Sequence, residues 1–174
     1  MDTDNNPTNG LGRGMLIIFW VIALIALSYF FSQWAEKKHN PNQDIGGLET
    51  ESFREVTLKR NRQGHYVSNG KINGVSVVFM LDTGATVVSV PQNLARKLKL
   101  TPGERYKTAT ANGPVTVRDT RIAKLELGII HLHDVPASIN PGLGGNEILL
   151  GMSVLKHLEF TQSGRTLTLR QYPK

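Results

Sequence analysis

A mainly β domain carried behind one apolar helix is the architecture the sequence predicts, and three observations predict it. Met15 to Phe31, MLIIFWVIALIALSYFF, is an uninterrupted apolar run without a charge. From about Phe53 the pattern changes to short apolar runs cut by turn dipeptides, among them Asn69-Gly70, Asn73-Gly74 and Asn112-Gly113, which are the two-residue signals of β-hairpins. Between the two lies a polar stretch with neither helical nor strand periodicity. A chain of 174 residues has room for one ordinary domain plus such extras.

The elements follow in order. Residues 1–14 are an N-terminal tail. Residues 15–34 read as a single transmembrane helix, because a run of this length just crosses a hydrocarbon core and Trp20, Tyr29 and Trp34 can anchor its ends at the interfaces. A cleavable signal peptide is the weaker reading, since SYFFSQWAEKK offers no small-x-small cleavage site. Arg13 precedes the helix and Lys37 and Lys38 follow it, a count that tilts weakly towards a cytoplasmic C-terminal side. Residues 35–53, with Pro41 and Gly46-Gly47, read as a flexible linker.

Residues 54–174 are the domain. Its strands are expected in REVTLKR, HYVSNGKINGVSVVFML, the long run from Tyr106 to Ile139, NEILLGM and RTLTLRQY. Two short helices interrupt them. One is Pro91 to Leu100, opened by proline in its first turn with Leu94 and Leu98 on one face, and the other is Met152 to Leu158. The chain has no cysteine, which excludes disulfides, thiolate nucleophiles and cysteine-based metal sites. The formal charge of +6 is uneven, for residues 54–174 carry seventeen Lys/Arg against eight Asp/Glu. Those cations are scattered among strands and turns with few aromatics between them, and no nucleic-acid module accompanies them, so nucleic acid is not an expected partner.

One acid is out of place. Asp82 lies within VVFMLDTGATVVSVP, a run that otherwise reads as a buried strand, where an uncompensated carboxylate costs several kcal/mol, roughly. The stretches LDTGATVVSVPQNLARKL and ILLGMSVLKHL share a layout, apolar strand to glycine to short helix, which suggests an approximate internal two-fold built around Gly84 and Gly151. Both glycines permit close backbone crossing. Only the first copy brings an acid.

These residues resemble the retropepsin-like aspartic proteases, the single-lobed relatives of pepsin. The resemblance rests on Asp82-Thr83-Gly84-Ala85 after an apolar strand and on Leu149-Leu150-Gly151 before a short helix, about 65 residues further on, and it spans residues 54–174. It implies a closed β-barrel lobe with two short helices, no cofactor and no metal. It also implies an aspartic endopeptidase in which two carboxylates share a proton across one water, one acting as base and the other as acid. Asp82 supplies one half. The sequence has no second Asp-Thr-Gly, so the resemblance implies a homodimer with Asp82 of each copy on the two-fold axis, acting on peptide or protein substrates.

By the same carry-over Thr83 hydrogen-bonds across the axis and Gly84 brings its amide to the carboxylate. Ala85 replaces the serine of pepsin-like lobes, which implies activity nearer neutral pH than pepsin's. The hairpin from Tyr106 to Asp119 falls where the family places its substrate-covering flap, with Thr110, Ala111, Asn112 and Gly113 at the tip. Thr86 and Met152 stand where retroviral relatives carry an acid and an arginine that clamp the dimer, so weak dimerisation is expected, offset by tethering to a membrane through residues 15–34. The family's membrane-anchored bacterial members imply a single-pass protein of the bacterial inner membrane with a periplasmic domain, against the Lys/Arg count.

Other signals carry less. His131-Leu132-His133-Asp134 has two imidazoles at i and i+2, but no further ligand is evident and a solvated turn is the simpler reading. Gly142-Leu143-Gly144-Gly145 lacks the Lys-Ser/Thr of a phosphate loop and reads as a connection near the cleft. The competing function is a non-catalytic peptide-binding or dimerisation module on the same fold.

Overall fold

The computed structural model describes residues 8–110 and 113–173, which divide into two units with the boundary after Lys38. The first is made by helix α1 (Thr8–His39), about 48 Å long at 1.5 Å per residue. It is long and apolar enough to cross a membrane. The helix outruns the expected 15–34 on both sides. On the C-terminal side Ala35-Glu36-Lys37-Lys38 are good helix formers, and the first obstacle is Pro41, which restricts the residue before it.

The second unit holds the β-structure. Strand β1 (Gly47–Glu49) pairs with β2 (Arg54–Lys59). After β3 (Val67–Ile72), β4 (Val75–Leu81), β5 (Val88–Pro91) and helix α2 (Gln92–Ala95) come β6 (Arg105–Thr110), β7 (Gly113–Leu127) and β8 (Ile130–Asn140). The chain ends with β9 (Glu147–Leu150), helix α3 (Met152–Leu155), β10 (Glu159–Ser163) and β11 (Thr166–Gln171). One sheet has the order β3-β4-β9-β5-β8-β7-β6, and a further pairing of β3 with β7 closes it into a barrel from which β6 projects. A second sheet, β1-β2-β11-β10, gathers the two ends of the unit. The mainly β class, the closed barrel and the two short helices match the expectation from sequence.

The core fills the barrel. Ile72, Phe79, Val88, Val90, Leu98, Ile122, Leu125, Ile148 and Leu150 have no exposed surface; alternation turns residues between them outward along β9, whereas all four residues of β5 are buried. Helix α2 is shorter than the span Pro91–Leu100, yet that span is one capped turn of structure. Leu98 N–H donates to Leu94 O, Lys99 N–H to Arg96 O and Leu100 N–H to Ala95 O. With Lys99 at φ 55°, this is the left-handed C-terminal cap that reverses a helix and returns its last apolar residue to the core. Helix α3 likewise tightens into turns through Leu158.

Two expectations are corrected. Asn73-Gly74, at φ 51° and 81°, does turn β3 into β4, but Asn69-Gly70 lies inside β3, paired with Val78 and Val77. A Cβ on Gly70 would stand 2.4 Å from the Phe79 ring and 2.5 Å from Glu126 O, so this glycine serves the close approach of three strands and no turn. Nor are residues 35–53 a free tether throughout. Asn42 is buried; its amide donates to Lys59 O and Val67 O and its Oδ1 accepts from Lys59 N–H. Asn40 bonds Asn69, and His39 pairs with Glu147. The polar composition that suggests solvated chain supplies instead the amides that satisfy backbone groups of β2 and β3.

Candidate active site

The acid lies just beyond the end of β4. Strands β4 and β9 run parallel, with Leu81 opposite Leu150, and Asp82 N–H donates to Leu150 O. From there the chain turns through Thr83 and Gly84, Ala85 N–H donates back to Asp82 O, and residues 85–87 cross over the start of α3. Met152 N–H donates to Ala85 O and Ser153 N–H to Thr86 O. Gly151 is where the two segments touch: a Cβ there would lie 2.5 Å from both Ala85 O and Val87 O. Ser153, buried, ties the crossing to β8, for its hydroxyl donates to Pro136 O and accepts from Val88 N–H. Leu149 and Leu150 form the strand beneath, Leu150 in the core and Leu149 half-buried towards the cleft.

Asp82 is not buried in a strand. It is half-exposed, and its Oδ1 accepts Gly84 N–H at 2.9 Å. Thr83, Gly84 and Thr86 are exposed around it, and Ala85 is half-buried. The Thr83 hydroxyl has no hydrogen-bond partner within the chain among the described residues.

In front of the carboxylate opens a groove of about 980 Å³. Its floor is the Asp82 loop with Val87, Ser89 and Leu149; its roof is the β6–β7 hairpin, contributing Tyr106, Thr108, Thr110, Gly113 and Val115; and Gly142 and Leu143 close one end. The hairpin pairs from Arg105 with Arg118 to Thr110 with Gly113, and Gly113, at φ 104°, takes a backbone conformation suited to glycine in a tight turn. Thr110 Oγ1 donates to Gly113 O. The tip residues Ala111 and Asn112 lie outside the described residues. Asp82 is the sole carboxylate among the described residues lining the groove.

Sequence reasoning missed the polar shelf at the back of this groove. Asn140, buried, donates to Ser89 Oγ, and its Oδ1 accepts Gly142 N–H. Asn140-Pro141-Gly142 is a turn signal that would have located the bend, but nothing local pairs it with Ser89. His131 and His133 lie away from the groove. His131 Nδ1 stands 3.5 Å from Glu126 Oε1, and no cluster of three metal-ligating side chains occurs among the described residues.

A closed barrel with a projecting hairpin, a parallel strand pair ending in Asp-Thr-Gly and a bare glycine, and a long groove between them define a single aspartic-protease lobe. Residues 68–157 match the family described as "gag-polyprotein putative aspartyl protease", and the chain belongs to this family of retropepsin-like aspartic proteases. The fold is that of a retropepsin-like aspartic protease from Rickettsia conorii known from a crystal structure, with a TM-score of 0.57 and 24% identity over 74% of this chain and 94% of that one. An uncharacterized protein from the cobV 5′ region of a Sinorhizobium species is 26% identical across 91% of this chain and 73% of its own length. One from Rickettsia prowazekii is 28% identical across 68% of this chain and 52% of its own.

Proposed function

We propose that the protein is a membrane-anchored aspartic endopeptidase that works as a homodimer, with Asp82 and Asp82 of a second copy forming the catalytic pair. The observation that carries this reading is the position of Asp82: it is held by Gly84 N–H at the floor of a groove wide enough for an extended peptide, with no second carboxylate beside it in the described lining. A single carboxylate cannot act as base on water and as acid towards the scissile carbonyl at once. The exposed surface around it, Thr83 and Gly84 with an unengaged hydroxyl, suits a second copy meeting it across a two-fold axis. Thr83 then bonds across the axis, the Asp82 pair shares one proton around a water, and the β6–β7 hairpin, with Thr110 and Gly113 at the edge of its tip, closes over substrate and excludes bulk water.

Helix α1 supplies the anchor, and confinement to a membrane raises the local concentration of a weakly associating pair. That matters here because Thr86 and Met152 offer no ion pair across the axis. We place the protein in a bacterial inner membrane with the protease domain in the periplasm. Reporter fusions after residue 50 test the side.

The decisive experiment compares the full chain and its Asp82→Asn variant, both in detergent micelles, on a mixed peptide library, with association followed by analytical ultracentrifugation. Cleavage by the wild type alone supports the reading. A demonstrated dimer that cleaves nothing at any pH overturns it in favour of a non-catalytic peptide-binding module.

A further inference from the structure

A second cavity, of about 770 Å³, opens on the other face of the hairpin base, between β6–β7, α2 and the end of β8. Alternation separates the two spaces: Tyr106 and Val115 line the groove over Asp82, while Arg105, Thr116 and Arg118 line this one. Its floor is apolar, with the buried Leu100 and Ile139 beside Pro102. Three arginines, Arg96, Arg105 and Arg118, are among the residues that form its walls.

None of the three arginines has an ion pair among the described residues, whereas Arg54, Arg121 and Arg170 each meet a carboxylate. Arg105 and Arg118 are moreover directly opposed across β6 and β7, and like charges directly opposite one another on a sheet repel. The acids adjacent to Arg105 and Arg118 in the chain do not line the cavity. Glu104 and Asp119 face each other one step along, where Asp119 N–H donates to Glu104 O; successive residues of a strand point to opposite faces. Positive charge is thus concentrated over an apolar floor with no carboxylate among the described residues lining the cavity.

We propose that this three-arginine cavity docks an acidic segment of a polypeptide substrate, away from the bond to be cut. The identity of the segment's owner rests on the protease reading; the chemistry of the site does not. Carboxylates accept paired N–H bonds from guanidinium groups, and a ligand that bridges Arg105 and Arg118 removes their repulsion. A lone inorganic anion would leave the apolar floor uncovered. An extended chain alternating acidic and apolar residues presents carboxylates to the arginines and side chains to Leu100 and Ile139.

Binding is measured by fluorescence anisotropy with a labelled peptide of alternating Glu and Leu, using the full Asp82→Asn chain in neutral detergent so that cleavage cannot consume the probe. The acidic peptide is expected to bind, more weakly at high salt, and its counterpart with Lys for Glu is not. Arg105→Gln/Arg118→Gln lowers affinity by about tenfold or more, while Arg105→Lys/Arg118→Lys retains part of it because charge remains without the planar fork. Thermal unfolding verifies that each variant is folded, and Arg96→Gln, at the C-terminal cap of α2 and outside both strands, gives an independent loss should the strand variants fail. Equal affinity for the Gln variants or equal binding of the Lys peptide overturns the proposal. So does arginine-dependent binding to phosphatidylglycerol vesicles without arginine-dependent peptide binding. Arginine-dependent peptide binding by a chain whose wild type cleaves nothing removes the protease reading and leaves this site standing.

Discussion

The two halves of the Asp82 site are built alike and do different work. In each, a strand of the parallel β4–β9 pair ends in an apolar residue and leads into a glycine, Gly84 in the first and Gly151 in the second, but only Gly151 stands where two segments of chain cross. In the first half the glycine turn faces outward, with Asp82 half-exposed and Thr83 and Gly84 open to solvent. In the second it is sealed: Gly151 is pressed against two carbonyls, and Ser153, Val154 and Leu155 are buried behind it. The difference teaches that the repeat is structural. One half presents the acid, and the other is the packed surface that holds the acid's loop in place.

Substitutions should break that comparison in a definite order. Asp82→Asn should have the largest effect, reducing peptide cleavage by about 10²–10⁴-fold while leaving the unfolding midpoint near that of the wild type. Gly151→Ala should come next, since its methyl group meets backbone and nothing flexible can yield; a loss of about 3 kcal/mol in denaturant unfolding is expected. Its counterpart Gly84→Ala meets only Asp82 Oδ1, at 3.1 Å. It should cost about 0.5 kcal/mol in stability yet depress cleavage strongly, by shifting the carboxylate off its amide. Equal stability losses for the two glycines would abolish the distinction between presenting and supporting halves.

Smaller effects calibrate it. Ser153→Ala removes the hydroxyl that joins Val88 N–H to Pro136 O and should cost about 1–2 kcal/mol, measured by urea unfolding. Glu126, on β7 and remote from both halves, is the baseline. A hydrogen bond from Lys124 holds its carboxyl below the usual carboxylate range. A depressed folded-state value means that the contribution is present above the unfolded-state value and lost as pH falls through the folded one. Glu126→Gln should therefore cost a few tenths of a kcal/mol near neutrality, and its difference from the wild type should shrink in unfolding measurements as pH falls from neutrality through and below the ordinary carboxylate range.

What was legible in the sequence followed the range of the interactions involved. The Asp82 motif, the Asn73-Gly74 turn and the apolar helix declare themselves through neighbours in the chain, and so did the barrel's alternating strands. Gly70 was misread as a turn because its reason lies in Phe79 and Glu126, which only the closed sheet brings near. Asn42 looked like linker because its partners, Lys59 and Val67, are distant in sequence and are backbone groups that any residue type would offer. The Ser89–Asn140 shelf escaped for the same reason. The arginine cavity needed the register of β6 on β7 before two ordinary surface cations became an opposed pair.

The asparagine staple also decides where the domain may be cut. A recombinant fragment begun at residue 54, where the strand pattern sets in, discards β1 and strips Lys59 N–H of Asn42 Oδ1 and Val67 O of the Asn42 amide. Soluble protein for assay or crystallisation is better started at His39, which keeps that clasp and the hydrogen bond to Glu147 while leaving the greasy helix behind.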